Sequence, residues 1–177
     1  MNFPDMNKLP ILSTRFTDYT WEENEDHRRR HSSIQCIYGS PQPISSKIYP
    51  RIPVCVIEMN NTHNKVMGIG LIRNEPTPRN TYIVYGTGNY NRYVFTGKHR
   101  IDRSEIPEDL LNILDYILFK EKTHLKRGAG FTQVPSKLLN HRICEGRDIT
   151  KEIASIIVKK YKKFNIDVET TINTIET

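Results

Sequence analysis

The stretch IPVCVIEMNNTHNKVMGIGLIR, residues 52–73, decides the fold of this chain. Two apolar runs flank the turn formers NNTHN, and this pattern predicts an antiparallel hairpin with strands at about 52–59 and 65–73. The first run is apolar on both of its faces, which is typical of a central strand rather than a half-exposed one. We therefore expect a sheet to grow outward from this hairpin.

Gly68 and Gly70 lie on the same face of the second predicted strand, because side chains alternate along a strand. A strand that lacks two side chains on one face lets another group approach its backbone closely. The sequence leaves three explanations open. A flat ligand ring passes there, a helix packs closely on the sheet, or the strand bends to close a barrel.

The other apolar runs predict the remaining elements. They indicate strands at about 34–38, 81–86 and 91–98, and helices at about 20–30, 106–120 and 150–164. We expect residues 1–13 to be an irregular lead-in, residues 14–165 to form one domain, and residues 166–177 to be a frayed tail. The predicted class is α+β: a small five- to six-stranded, mostly antiparallel sheet or barrel with flanking helices.

Length and cysteine content narrow the class of protein. A chain of 177 residues can bury a core without covalent staples. Its three cysteines are too few and too scattered for a disulfide framework, which favours a reducing, intracellular setting in cytoplasm, nucleus or virion. No apolar run approaches the roughly 20 residues that span a bilayer, and the N-terminus does not resemble a secretory signal. We expect no membrane partner.

The net charge of +6 is unevenly distributed along the chain. Residues 89–163 contain 16 basic and 9 acidic side chains, a local excess of +7. A basic region of this kind fits a polyanionic partner such as nucleic acid. The alternative is that mild basicity serves only solubility.

Aromatic and basic side chains are interleaved in NYNRYVFTGKHRIDR, residues 89–103. Single-stranded nucleic acid is typically held by bases stacked on aromatic rings beside a basic groove. Candidate stacking residues are Trp21, Tyr38, Tyr82, Tyr85, Tyr90 and Tyr93, and candidate phosphate contacts are Arg92, Lys98 and Arg100. The alternative for any one of these rings is a place in the core.

The segment KTHLKRGAG, residues 122–130, combines cations with glycines. Glycines let backbone N–H groups approach a phosphate, and Lys122, Lys126 and Arg127 would supply positive charge. The segment fits neither the Walker nor the dinucleotide fingerprint. A solvated turn with a basic rim is the alternative.

Metal and catalytic motifs are weak. His27, His31 and Cys36, or His141 and Cys144, make at most half of a metal site. No nucleophile has a recognisable base beside it, and Glu58 and Glu121 are the nearest candidates for a nuclease carboxylate. We predict a nonenzymatic protein without metal or cofactor.

The order of these segments over roughly residues 14–140 resembles the YTH domain and its EVE relatives, within the PUA-like group of small barrels. The resemblance is carried by five stretches: RFTDYTWEENE (15–25), CIYGSPQPI (36–44), PVCVIEMNNTHNKVMGIGLI (53–72), YVFTGKHRIDRSEIP (93–107) and KTHLKRGAGFTQVP (122–135). Each is similar to a segment of that family: the first to one that bears an asparagine, the last to its basic loop.

This resemblance implies a reader of N6-methyladenine in single-stranded RNA, with the base held in an aromatic cage. Tyr38 matches the first cage aromatic, and Gly39 matches the small residue whose backbone contacts the base. Asn24 matches the asparagine that bonds the purine edge, and Arg127 matches the arginine that contacts phosphate.

The chain also departs from the family pattern. A tyrosine stands where the family has its first cage tryptophan, and only Tyr82 or Tyr85 lies near the place of the second. Trp21 is the sole tryptophan and lies outside the usual cage segment, and the spacing from Asn24 to Tyr38 is longer than in the family.

We therefore predict a nucleic-acid-binding module, with RNA favoured over DNA, that reads a modified base through an aromatic pocket. Two alternatives remain open: a virion-type assembly protein with a basic DNA-contacting face, and an enzyme acting on nucleic acid. The composition, rich in Asn, Ile and Lys, suits an AT-rich genome such as that of a large DNA virus.

Overall fold

The computed structural model describes residues 8–175, with side chains from residue 8 to residue 162. The elements follow in the order β1 (Ile11–Phe16), α1 (Asp18–Arg30), β2 (Cys36–Ser40), β3 (Pro53–Asn60), β4 (Lys65–Arg73), β5 (Tyr93–Gly97), β6 (His99–Asp102), α2 (Glu108–Asp115), β7 (Thr132–Gln133), α3 (Ser136–Leu139) and α4 (Ile149–Ile175). A π-helical turn, Tyr116–Lys120, continues α2.

The predicted hairpin is the centre of the main sheet. Strands β3 and β4 pair antiparallel within a residue of the predicted bounds, with Asn64 in a left-handed conformation (φ 52°) in the turn. The strand order is β6-β4-β3-β1-β7, so β3 is central as predicted. Strand β1 pairs parallel to β3, and the other pairs of this sheet are antiparallel.

Each face of the main sheet carries its own core. On one face, Cys55, Ile57 and Met59 pack against α2 and α4. On the other face, Val54 and Val56 pack beneath α1 and a two-stranded sheet formed by β2 and β5. Because side chains alternate along β3, they contribute to the hydrophobic cores on both sides of the sheet, which is why this strand is apolar on both faces.

The prediction of an α+β fold with a mostly antiparallel sheet is confirmed, and of its two alternatives, sheet or barrel, the barrel is wrong. The main sheet is open, because β6 and β7 form its two edges and do not pair with each other. Strands β2 and β5 pair with one another and cover one face of the main sheet rather than extending it. The result is a mixed five-stranded sheet with a separate two-stranded sheet.

Several predicted elements are corrected. The strand predicted at 81–86 is a loop, because the amides of Val84 and Tyr85 donate to the side chain of Asn91 rather than to a neighbouring strand. Strand β1 begins at Ile11, inside the predicted lead-in, of which residues 1–7 lie outside the described residues. Helix α4 begins at Ile149 and continues past 164 to Ile175, through most of the segment predicted to fray.

The two glycines of β4 make room for a buried polar cluster. A Cβ atom at Gly70 would collide with the hydroxyl oxygen of Tyr38, and one at Gly68 would lie 2.6 Å from Nη2 of Arg100 and 2.8 Å from Oε2 of Glu58. The Tyr38 hydroxyl donates to Glu58 (2.7 Å), and Arg100 forms a two-pronged ion pair with the same carboxylate. The missing side chains therefore accommodate side chains of neighbouring strands, not a helix or a ligand.

Candidate functional site

A cavity of about 220 Å³ opens at the carboxyl end of the parallel strands β1 and β3. Ligands commonly bind at this end of parallel strands, where the loops leave the sheet. Its wall is formed by the end of β1, the start of α1, β2, the turn after β3, the loop before β5 and the loop before β7. The lining residues are Thr14, Arg15, Phe16, Thr17, Thr20, Gly39, Asn61, Tyr85, Tyr90, Gly128, Ala129 and Gly130.

Arg15 organises one side of the cavity. It lies on β1, and its guanidinium donates to the carbonyl oxygens of Leu125 (3.1 Å), Gly128 (3.0 Å) and Gly130 (2.9 Å). A fourth hydrogen bond, 3.0 Å long, reaches the hydroxyl of Thr132. One arginine thus fixes the loop that closes the cavity, which a flexible lysine could not do with the same geometry.

Asn61 fixes the same loop from the turn after β3. Its Nδ2 donates to the carbonyl oxygen of Lys126 at 2.8 Å, while its backbone amide donates to Phe16. The carbonyl acceptor determines which end of the amide faces the loop, since the side-chain oxygen cannot donate. Arg15 and Asn61 therefore hold the loop against the ends of β1 and β3.

Tyr85 and Tyr90 form the aromatic side of the cavity. Their ring centroids are 6.4 Å apart and the rings are steeply inclined to each other. Tyr85 is buried and accepts a hydrogen bond from Nδ2 of Asn24 (3.0 Å), whereas Tyr90 is 36% exposed. Burial raises the pKa of Tyr85, so its hydroxyl stays protonated at neutral pH. Tyr90 is the ring that an incoming planar group can reach.

Gly39 lets this aromatic side approach β2. A Cβ atom at this position would collide with the carbonyl oxygen of Tyr90 and lie 2.8 Å from the ring of Tyr85. The glycine is therefore required for the packing of the 85–90 segment against the strand. In the structure Gly39 shapes the cavity wall, and that is its visible role.

The side chains that line the cavity carry a positive charge. Its lining contains Arg15 and no aspartate or glutamate, and Arg15 forms no ion pair with any described residue. Burial lowers the pKa of Arg15, an effect opposed by Tyr90. Arginine nevertheless stays protonated in proteins. The amino end of α1, capped by Thr17, also faces this space and adds a partial positive charge.

The structure brings together part of the predicted base pocket. Gly39, Tyr85 and Tyr90 line the cavity, and Asn24 lies directly behind Tyr85. Among the predicted phosphate contacts, Lys126 and exposed Arg127 precede Gly128 in the loop. Exposed Arg92 follows Tyr90 by two residues.

Other predicted base-pocket residues lie elsewhere. Tyr38 is completely buried, and its hydroxyl is bound to Glu58, so it does not line the cavity. Trp21 is buried against Phe16, with the guanidinium carbons of Arg28 and Arg100 5.2 and 5.5 Å from its ring centre. Tyr82 packs edge-on against the stacked rings of His27 and His31.

Three of the predicted phosphate contacts do not lie at the cavity. Arg100 is 8% exposed and paired with Glu58, so it is a core residue rather than a surface cation. Lys98 follows the end of β5 that pairs with Cys36, whereas the cavity adjoins Gly39 near the other end of β2. Lys122 is exposed, four residues before Lys126 in the chain, and does not line the cavity.

Sequence reasoning missed Arg15 and Asn61. Arg15 is the one charged residue in the otherwise buried run ILSTRF, and such a lone cation in a strand is a usable signal. Its loop partners lie 110 to 117 residues away, however, and no local pattern connects them. Asn61 belongs to the turn formers NNTHN, a pattern that predicts only the turn of the central hairpin.

The carboxylate considered for catalysis is enclosed by protein. Glu58 is 1% exposed in the middle of β3, and both of its oxygens are bound by Arg100. Among the described residues, no three His, Cys, Asp or Glu side chains are grouped so that they could hold a metal ion. All three cysteines are buried free thiols.

No protein-family model matches the chain, and neither a curated protein nor a solved structure matches it. The similarity to the YTH and EVE domains therefore stays a prediction made from short motifs. Within residues 8–175, no helix combines the length and the apolar character that crossing a bilayer requires.

Proposed function

We propose that this chain is a nonenzymatic module that binds single-stranded nucleic acid, RNA in preference to DNA, and accommodates one unpaired base in the cavity at the end of β1. The proposal rests above all on one observation: a cavity that joins an accessible tyrosine ring to an arginine without any lining carboxylate. Aromatic rings beside unpaired positive charge are the features by which proteins hold unstacked bases on a charged backbone.

The size of the cavity supports a single base. Its volume of about 220 Å³ is below the roughly 300–1,000 Å³ of clefts that take drug-sized ligands. A base that enters would meet the exposed ring of Tyr90, with Tyr85 fixed behind it by Asn24. Arg92 follows Tyr90 by two residues, and Lys126 and Arg127 directly precede the lining residue Gly128, so these cations would contact the phosphates on either side of the base.

Recognition of N6-methyladenine would involve a different tyrosine from the one that the resemblance implies. Tyr85 and Tyr90 line the cavity together with buried Phe16, whereas the first cage residue implied by the resemblance, Tyr38, is in the core. A methyl preference would therefore depend on Tyr90 rather than on Tyr38.

The test is a fluorescence-anisotropy titration with short single-stranded RNAs that carry central adenine or N6-methyladenine. Since stacking on an aromatic ring contributes about 1–3 kcal/mol per base, Tyr90→Ala should weaken binding by about tenfold or more. Tyr49→Ala is the matched control, because Tyr49 is 78% exposed and does not line the cavity. Unchanged affinity in Tyr90→Ala would place RNA outside the cavity, and no binding at low salt would end the nucleic-acid proposal.

A further inference from the structure

Most polar side chains in the wall of the cavity are already bonded to protein. Thr17 and Thr20 bond to each other at the start of α1, because the hydroxyl of each accepts a hydrogen bond from the backbone amide of the other. Arg15 and Asn61 hold the loop before β7, and the buried hydroxyl of Tyr85 accepts from the side chain behind it. These five side chains are therefore engaged within the protein before a ligand arrives.

Thr14 is the exception. The residue is 5% exposed, yet its hydroxyl forms a hydrogen bond with no described residue. Among the described residues, the polar side-chain atoms that are both without a partner and shut off from solvent belong to His27, Arg28 and Asn61, so the Thr14 hydroxyl is not shut off. Since Thr14 lines the cavity, the cavity is the space that this hydroxyl faces.

Thr14 lies at the inner end of the cavity, away from its mouth. Side chains alternate along β1, so Thr14 shares a face of the sheet with Phe16, which belongs to the same hydrophobic core as Tyr85. Thr14 precedes the end of β1 by two residues, and its partner in register on β3 is the buried Glu58. Tyr90, which is 36% exposed, marks the mouth. A base that enters past Tyr90 would therefore bring one of its edges to Thr14.

Stacking alone does not select the edge of a base. Every base has a flat face, so contact with the ring of Tyr90 tolerates any sequence. A hydroxyl group is selective, because it requires a hydrogen-bonding atom opposite it and loses its bond to water when an apolar group enters. Arg15 gives the wall a positive charge and no carboxylate lines the cavity, which favours electron-rich ligand atoms. The Thr14 hydroxyl is therefore suited to donate its hydrogen to such an atom.

We propose that Thr14 is the specificity-determining residue of the cavity, and that its hydroxyl donates a hydrogen bond to a ring nitrogen or a carbonyl oxygen on the edge of the bound base. This inference rests on the proposed function and divides the work between two residues. Tyr90 holds the flat face of the base at the mouth, whatever the base is. Thr14 reads its edge at the inner end.

The test uses three short single-stranded RNAs in a fluorescence-anisotropy titration. Their central bases are adenine, uracil and difluorobenzene, a flat ring with the shape of uracil but without a ring nitrogen or a carbonyl oxygen. The wild type should bind at least one of the two natural bases about fivefold more tightly than difluorobenzene, as one hydrogen bond would provide. Thr14→Val keeps the branched shape and removes the hydroxyl, so it should lose this preference and bind the difluorobenzene RNA as the wild type does.

Further variants separate reading of the base from a merely structural role. A structural defect in Thr14→Val would weaken the binding of all three RNAs alike. Thr14→Ser restores a hydroxyl and should restore the preference, and Thr96→Val makes the same exchange on β5, outside the cavity wall, and should leave it unchanged. In urea denaturation Thr14→Val should be as stable as the wild type, because its hydroxyl has no protein partner to lose. A clear loss of stability would reveal such a partner and overturn the inference.

The outcomes distinguish this inference from the proposed function. If Tyr90→Ala weakens the binding of RNA but Thr14→Val keeps the wild-type preference, the base lies in the cavity and Thr14 does not read it, so the inference alone is overturned. A wild type that binds the natural bases and difluorobenzene equally would overturn it in the same way. If the wild type binds none of the three RNAs at low salt, the nucleic-acid module and the role of Thr14 are overturned together.

Discussion

At the scale of single residues, Gly70 is fixed by the side chain that faces it. A Cβ atom there would collide with the hydroxyl oxygen of Tyr38, which is completely buried and cannot move outward. We expect Gly70→Ala to lower the free energy of unfolding by about 2 kcal/mol through overpacking. Urea denaturation measures this, with Gly88→Ala as control because nothing lies within 4 Å of a Cβ atom at Gly88. Equal stability of both variants would mean that Tyr38 does not fill this space.

Glu58 and Arg100 depend on each other inside the same cluster. Burial alone would lower the pKa of Arg100, but the carboxylate of Glu58 outweighs it and the pKa is raised. Glu58→Leu leaves that charge without its main partner and should lower the free energy of unfolding by about 3 kcal/mol. The double variant Glu58→Leu/Arg100→Leu should recover part of the loss in urea denaturation. Arg29→Ala, which breaks the exposed pair with Asp26, should change stability by about 0.5 kcal/mol or less.

At the scale of elements, the end of α1 contains a histidine that the fold keeps neutral. His27 is buried, stacks on His31 at 4.1 Å between ring centres and meets the edge of Tyr82. Burial, with His31 and Arg30 nearby, lowers the pKa of His27 from 6.5 to about 4. Between these two values the unfolded chain binds a proton that the folded chain does not, so stability falls as the pH is lowered from about 6.5 to about 4.

The predicted effect of His27 is roughly 3 kcal/mol over that window, since one pKa unit corresponds to about 1.4 kcal/mol. His27→Phe keeps an aromatic ring in the stack and removes the titration. Its free energy of unfolding should therefore vary less with pH than that of the wild type, when both are measured by urea denaturation between pH 4 and pH 8. The difference between the two proteins at pH 8, where His27 is neutral in both states, is the baseline. Parallel curves would show that another group causes the acid loss.

One element, the central hairpin, is predictable from the sequence, and another, the segment 81–86, is not. The hairpin at 52–73 is predictable because its apolar periodicity and its turn formers agree with the packing on both faces of β3. The loop at 81–86 is as apolar as a strand. The backbone amides of Val84 and Tyr85, however, donate to the side chain of Asn91 and not to a neighbouring strand. Periodicity reports burial, and it does not report which group accepts the backbone hydrogen bonds.

At the scale of the whole molecule, the cavity could be predicted only in pieces. The sequence indicates Gly39, Tyr85 and Tyr90 as base-pocket candidates and the glycine loop as a phosphate-binding candidate. The fold brings them together around one cavity. Arg15 binds the glycine loop to β1, although the two are more than 100 residues apart in the chain. A parallel pair such as β1 and β3 juxtaposes distant segments, and nothing in the local sequence states that pairing.

The salt dependence of binding distinguishes the proposed module from an assembly protein that coats DNA without reading it. If single-stranded RNA lies across the cavity and the loop of residues 125–130, affinity should fall with salt, and each phosphate contact should contribute about 0.7 to the slope of log affinity against log salt. Arg127→Ala should reduce the slope by about that amount, whereas Lys159→Ala should leave it unchanged. Lys159 is exposed on α4, which packs on the opposite face of the main sheet. Anisotropy titrations at several salt concentrations, with a duplex of the same sequence as a second probe, measure both slopes.

Equal slopes for the two variants, together with equal affinity for duplex and single strand, would favour a protein that contacts nucleic acid through its overall charge and would remove the cavity from the account of binding.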